Sequence, residues 1–218
     1  MPLSPFEQFL VGSSPLMLER FFAHWPIHLV LQLRVLSSVV FLSVESFRTH
    51  VFDPSRVLER FFDNVPRFLV VLDSCGGIVS GSQALQLLGR VRYDPESDLD
   101  VFLPLSGVLK MGRWLRSQGY TYQASGRKHP FFDVEVFRLA ASIAYSDVKG
   151  DPNPQYPSCP SRGILATFHF VRVQEEDFEE GEEIDDPYWE PGVHVQLVVV
   201  HEAPEQFVIN DFHSSAYS

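Results

Sequence analysis

Two carboxylates stand one residue apart in the run Ser97-Asp98-Leu99-Asp100-Val101-Phe102-Leu103. The run alternates like a strand, and side chains two apart on a strand share a face, so Asp98 and Asp100 converge. Such a pair of hard oxygen ligands suits Mg²⁺, or Mn²⁺, because Mg²⁺ takes one or two carboxylates and completes its shell with water and substrate phosphates. Upstream, Gly77-Ile78-Val79-Ser80 runs through Gly81-Ser82 directly into Ala84, Leu85, Leu87 and Leu88. This is the pattern of strand, turn and helix. A helix start of this kind offers free backbone N–H groups and the positive end of the helix dipole to a phosphate. Gly81 lets a ligand approach the backbone closely, and Ser82 can cap the helix or hydrogen-bond a phosphate oxygen.

The elements that must position these groups follow from periodicity. Residues 16–65 read as short helices, with Leu18, Phe21 and Phe22, then Leu29, Leu33, Leu36 and Val40, then Val57, Leu58, Phe61 and Phe62 at helical spacing. Pro26, Asp53-Pro54-Ser55 with Ser55 as N-cap, and Pro66 divide them. Ser106 reads as the N-cap of a helix with Val108, Leu109 and Leu115 on its apolar face and Lys110, Arg113 and Arg116 on a face turned to water. Phe131 to Phe137 alternates like a strand, which would carry a second i, i+2 acid pair, Asp133 and Glu135. Ile164–Val173 and Val193–Val200 read as two strands of a hairpin with a long acidic insertion at 174–191, and a short helix is expected around Pro204–Phe212. The expected architecture is α+β: a helical N-terminal segment, 1–65, ahead of a mixed sheet flanked by helices, 66–218.

Composition narrows the function classes. The formal net charge is −11, but ten of the 28 carboxylates fall between Glu175 and Glu190, so the remaining eighteen face seventeen Lys and Arg, a net of −1. No broad basic surface is left to neutralise many phosphates, which argues against duplex DNA as a partner. The two cysteines, Cys75 and Cys159, have no metal-ligand or redox spacing. The start lacks the pattern of a secretory signal, and Gln32, Arg34 and Glu45 interrupt the longest apolar stretch, Leu29–Phe47. That stretch reads as a buried helix of a protein without a membrane span, and the expected setting is intracellular, cytoplasmic or nuclear. His169, His194 and His201 lack a ligand spacing and read as ordinary strand or surface residues, with His194 sharing strand parity with Gln196.

The pair of runs Val79-Ser80-Gly81-Ser82-Gln83-Ala84-Leu85 and Ser97-Asp98-Leu99-Asp100-Val101 resembles the signature of the nucleotidyltransferase (polymerase beta-like) superfamily. The resemblance covers 76–117 and extends more loosely along the sheet to Val200. Within the superfamily the chain is most similar to uncharacterised fungal proteins in which a degenerate F-box-like helical segment precedes the nucleotidyltransferase region, and the closing Phe212-His213-Ser214-Ser215 is similar to theirs. The resemblance implies that the Gly81-Ser82 turn holds a nucleoside triphosphate. It implies that Asp98 and Asp100 bind the Mg²⁺ (or Mn²⁺) ions for nucleotidyl transfer to an acceptor of unknown kind, whether RNA, protein or small molecule. It also implies a protein partner for the N-terminal helices.

The chain departs from that pattern in two places. Fifteen residues lie between Ser82 and Asp98, more than the usual interval. The family also uses a third carboxylate on a later strand, where Val193-His194-Val195-Gln196-Leu197-Val198 offers Gln196. An amide is neutral and supplies neither a base nor an anionic ligand. Two expectations follow, a transferase with a third acid such as Asp133 or Glu135, or a degenerate member kept as a binding or adaptor module.

Overall fold

A computed structural model describes residues 2–89, 97–149, 163–173 and 192–210, and the acidic segment 174–191 and the closing Phe212–Ser215 lie outside them. The backbone groups into two units, Met1–Arg56 with Gln86–Arg92, and Val57–Leu85 with Tyr93–Ser218.

The first unit is helical. Ser4 caps α1 (Pro5–Gly12), Ser14 caps α2 (Pro15–Phe21), and Ser37 caps α4 (Ser38–Val51), each side chain accepting a hydrogen bond from a first-turn N–H. Glu7 completes a capping box with Ser4 and also accepts from the Ser37 hydroxyl at 2.7 Å, which ties the starts of α1 and α4 together. Those hydrogen bonds lower the Glu7 pKa, the one from Ser37 most. Leu10, Leu18, Phe22, Val30, Val40, Val44, Phe47 and Val51 form its core.

The stretch from Leu29 to Phe47 differs from the single buried helix expected. It is the end of α3 (Ile27–Gln32), a 3-10 turn Leu33–Val35, and most of α4. Val35 is 87% exposed and Leu42 68%. The apolar residues here exceed what one helical stripe can bury, so those outside it face outward. At α5 (Ser55–Leu58) the Asp53 carboxylate accepts the Ser55 N–H at 2.9 Å, so Asp53 supplies the turn bond that was expected from Ser55. Among the described residues no helix is long and apolar enough to cross a membrane.

The second unit is mixed α+β around an open five-stranded sheet, in the order β1 (Ile78–Ser80), β2 (Leu99–Pro104), β5 (Val193–Val200), β4 (Ile164–Arg172), β3 (Thr121–Gln123). β2 and β5 are parallel, and the other three pairings are antiparallel. Along β2, Leu99, Val101 and Leu103 turn to one face together with Val195, Leu197 and Val199 of β5 and Phe168 and Phe170 of β4. Three helices cover that face: α6 (Val65–Ser74), α8 (Leu105–Ser117) and α9 (Phe132–Lys149). On the other face, Phe102, Val198 and Val200 pack with Phe207 of α10 (Pro204–Asn210).

Three local expectations are corrected. Pro66 opens α6 rather than ending a helix, because a first-turn residue needs no N–H. α8 begins two residues early, with Pro104 at the N-cap position instead of Ser106. The segment expected as a strand, Phe131–Phe137, instead leads into α9 at Phe132: Phe132, Val136 and Leu139 are buried at helical spacing, and Asp133 and Glu135 favour a helix first turn. A close fit in this layer is Gly107 on α8, where an added Cβ would lie 2.2 Å from the Cys75 carbonyl oxygen. Only glycine allows α8 to approach the end of α6 so closely.

Candidate functional site

β1 leads through Gly81 into α7 (Gly81–Gly89), and β2 runs back beside β1 in the register Ser80↔Asp100. Gly81 has φ +70°, in the left-handed region, and a Cβ built on it would stand 2.1 Å from Oδ2 of Asp100. The turn must therefore be glycine twice over, for its backbone and for the carboxylate that lies against it. Ser82 sits in the first turn of α7, half-buried. The structure thus sets Asp100 against Gly81, and Ser82 follows Gly81 in α7.

Asp98 immediately precedes β2, and its Oδ2 accepts a hydrogen bond from Nε2 of Gln196. Gln196 is also the direct neighbour of Asp100 in the parallel β2/β5 pair. It stands where the sequence expected a third acid. Burial, with the Asp98 charge added to it, raises the Asp100 carboxyl to about 6. Both causes act against the charged form, and a cation would relieve both.

The register extends this arrangement across all five strands. Ser80 faces Asp100, Asp100 faces Gln196, Gln196 faces His169, and His169 faces Gln123. Cross-strand neighbours share a face, so the five form one polar row on the α10 side of the sheet, opposite the large core. His169, read from sequence as an ordinary strand residue, is therefore the titratable group two strands from Asp100. Burial first, and Lys128 second, push its imidazole below the usual value, while Asp98 acts in the other direction and His194 reinforces the lowering. At neutral pH it is an uncharged acceptor or donor. The alternation of β4 put His169 on a known parity, but only strand register could have matched it to Gln196. His194 shares the Gln196 face, as parity expected.

The substitutes for a third acid are elsewhere. Asp133 accepts from Arg113 at 2.8 and 3.1 Å, and Glu135, 2% exposed, accepts from the His129 N–H at 2.9 Å and Arg138 at 3.0 Å. Both belong to α9, whose Phe132 packs on Phe168 and Phe170, on the face away from Asp100. Lys110, Arg113 and Arg116 are exposed on α8, over that same far face. Among the described residues no group of three His, Cys, Asp or Glu side chains is arranged to hold a metal.

Gln83 on α7 is buried, and its amide donates to the Ser97 carbonyl at 2.9 Å and the Ser97 hydroxyl at 2.7 Å. Arg60 reaches the same carbonyl at 3.5 Å. A cavity of about 470 Å³ lies apart from these groups, at the β3 edge beside Arg116, Tyr122, Phe131 and Asp133. The acid pair is the better candidate because Asp100 lies against the Gly81 turn beside Gln196 and Asp98, whereas the one carboxylate of that cavity, Asp133, is held by Arg113.

An α+β domain with an open mixed sheet and an acid pair against a glycine turn is the class of protein that fold and site define. No family model matches the chain, and no curated protein or solved structure matches it.

Proposed function

We propose that the second unit is a nucleotidyltransferase-type domain that binds a nucleoside triphosphate with a single divalent cation, Mg²⁺ or Mn²⁺, and serves as a binding or adaptor module. The observation that carries this is Gln196, a neutral amide beside Asp100 whose Nε2 donates to Asp98. Two carboxylates fit one hard cation shared with phosphates, whereas two-metal displacement needs ligands for ions roughly 3.5–4 Å apart. In this proposal the α7 start at Gly81-Ser82 takes the phosphates, and Asp98 and Asp100 hold the cation. The cation supplies neutralisation of the triphosphate charge. Exposed Val35, Leu36 and Leu42 on the first unit are apolar surface of the kind a protein partner covers, in keeping with an F-box-like segment.

One observation favours a second reading, nucleotidyl transfer to an RNA, protein or small-molecule acceptor: His169, uncharged and facing Gln196, is a base that could take a hydroxyl proton in place of the third acid. The test is incubation of the purified protein with each labelled nucleoside triphosphate, Mg²⁺ or Mn²⁺, and a mixed RNA and protein acceptor pool, beside Asp98→Ala/Asp100→Ala. Cation-dependent retention of nucleotide without transfer, lost in the double variant, is expected. Transfer that the double variant abolishes would replace the binding module with the transferase. Absence of cation-dependent retention would remove both.

A further inference from the structure

Burying a neutral amide costs free energy unless its hydrogen bonds are made, and at a helix position facing protein an aliphatic side chain avoids that cost. Gln83 is 4% exposed on α7, two residues past Gly81. Its amide donates twice to one residue, Ser97, and Ser97 stands directly before Asp98. The bonds cross fourteen residues of sequence and join the helix that begins at the glycine turn to the entrance of β2. Arg60 adds a longer contact to the same carbonyl.

Asp98 has no strand partner of its own within β2, which starts at Leu99. Its carboxylate is held by Gln196, and its backbone approach is set through Ser97. Asp100, by contrast, is fixed within the ladder by Ser80 and Gln196 and pressed against Gly81. The two carboxylates therefore depend on different supports, and the spacing between Asp98 and the glycine turn is the one that needs a strut.

We infer that Gln83 is a positioning residue: its amide couples the Gly81-Ser82 turn to Asp98 and so fixes the distance between the phosphate-binding turn and the cation-binding acid. The inference rests on the proposed site and extends it to a residue that touches neither ligand. A hydrogen-bonded support of this kind orients a ligand group, and its loss weakens cation binding more than fold stability.

The experiment compares the full chain with Gln83→Leu and, as a control for lost stability elsewhere in the same unit, Tyr120→Phe. Hydrogen–deuterium exchange is followed for the peptide spanning Ser97–Leu103, and ATP binding is measured in Mg²⁺ and in chelator. Gln83→Leu is expected to speed exchange in that peptide selectively and to weaken Mg²⁺-dependent ATP binding about tenfold, the scale of one or two lost hydrogen bonds, with binding in chelator unchanged. Tyr120→Phe should do neither. Unchanged exchange at Ser97–Leu103, or a rise spread over the whole unit, overturns the strut. Selective exchange with unaltered Mg²⁺-dependent binding overturns its positioning role. If the parent chain binds no ATP, the proposed site fails, and the exchange result alone still decides whether Gln83 holds Ser97.

Discussion

Replacing Gln196 by Glu turns a neutral amide into an acid and should enlarge the response of the sheet-bearing unit to magnesium. In the parent, Nε2 of Gln196 donates to the Asp98 carboxylate. A hydrogen bond to a charged group contributes about 1.5–3 kcal/mol. Gln196→Glu loses it and sets a third anion beside Asp98 and Asp100. Two like charges 4 Å apart repel by up to about 4 kcal/mol at an effective dielectric of 20, and proton uptake by one of the acids caps the cost. The variant should therefore be less stable in chelator at pH 7 by about 2–4 kcal/mol, a fall in Tm of roughly 5–15 °C for a unit of this size. Added Mg²⁺ should restore the variant far more than it raises the parent, since occupancy at a hundred times Kd stabilises by about 2.7 kcal/mol. Thermal melts followed by circular dichroism in EDTA and in millimolar Mg²⁺ make the comparison. Equal Tm values in EDTA, or a Mg²⁺ response no larger in the variant than in the parent, would refute the placement of Gln196 at the missing acid.

Other outcomes follow from the same geometry. Gly81→Ala must adopt φ +70° and push the Asp100 carboxylate aside. The left-handed backbone and the clash together should cost about 2–4 kcal/mol in urea unfolding and remove cation-dependent nucleotide binding. The Asp100 carboxyl, raised from 3.8 to about 6, keeps a proton in the folded state that the unfolded chain has released. Stability from this group therefore falls as pH rises through that window, and Asp100→Asn should be more stable than the parent above pH 6 by about 1–2 kcal/mol, after allowance for partial exposure. Because a cation must displace that proton, Mg²⁺ affinity of the parent should weaken as pH falls below about 6, which titration calorimetry at several pH values measures. Tyr120→Phe removes the buried hydroxyl that donates to the Phe61 carbonyl at 2.7 Å and should cost about 1–2 kcal/mol in the same unfolding assay.

What the sequence disclosed depended on how local the signal was. The β1–α7 turn and the acid pair were legible because a glycine before a helix and two acids at i, i+2 are patterns held within a few residues. The β5 run offered Gln196 where an acid was expected, and the register sets it beside Asp100. The start of α9 was misread because seven residues that alternate can also carry a helical stripe, and only Phe132, Val136 and Leu139 packed together decide between them. The Leu29–Phe47 stretch was misread because apolar composition does not say how much of it a small helical unit can cover. His169 and Gln83 were invisible as site residues for one reason: their partners, Gln196 and Ser97, are set by strand register and helix docking, which no local pattern encodes.

The most direct measurement is a crystal structure of the full chain with ATP and Mn²⁺, using anomalous scattering to count and place the ions. One Mn²⁺ peak shared by Asp98 and Asp100, with the phosphates on the backbone N–H groups of Gly81 and Ser82, is the expected result. Nucleotide bound away from that turn, or two ions ligated at the acid pair, would contradict the account.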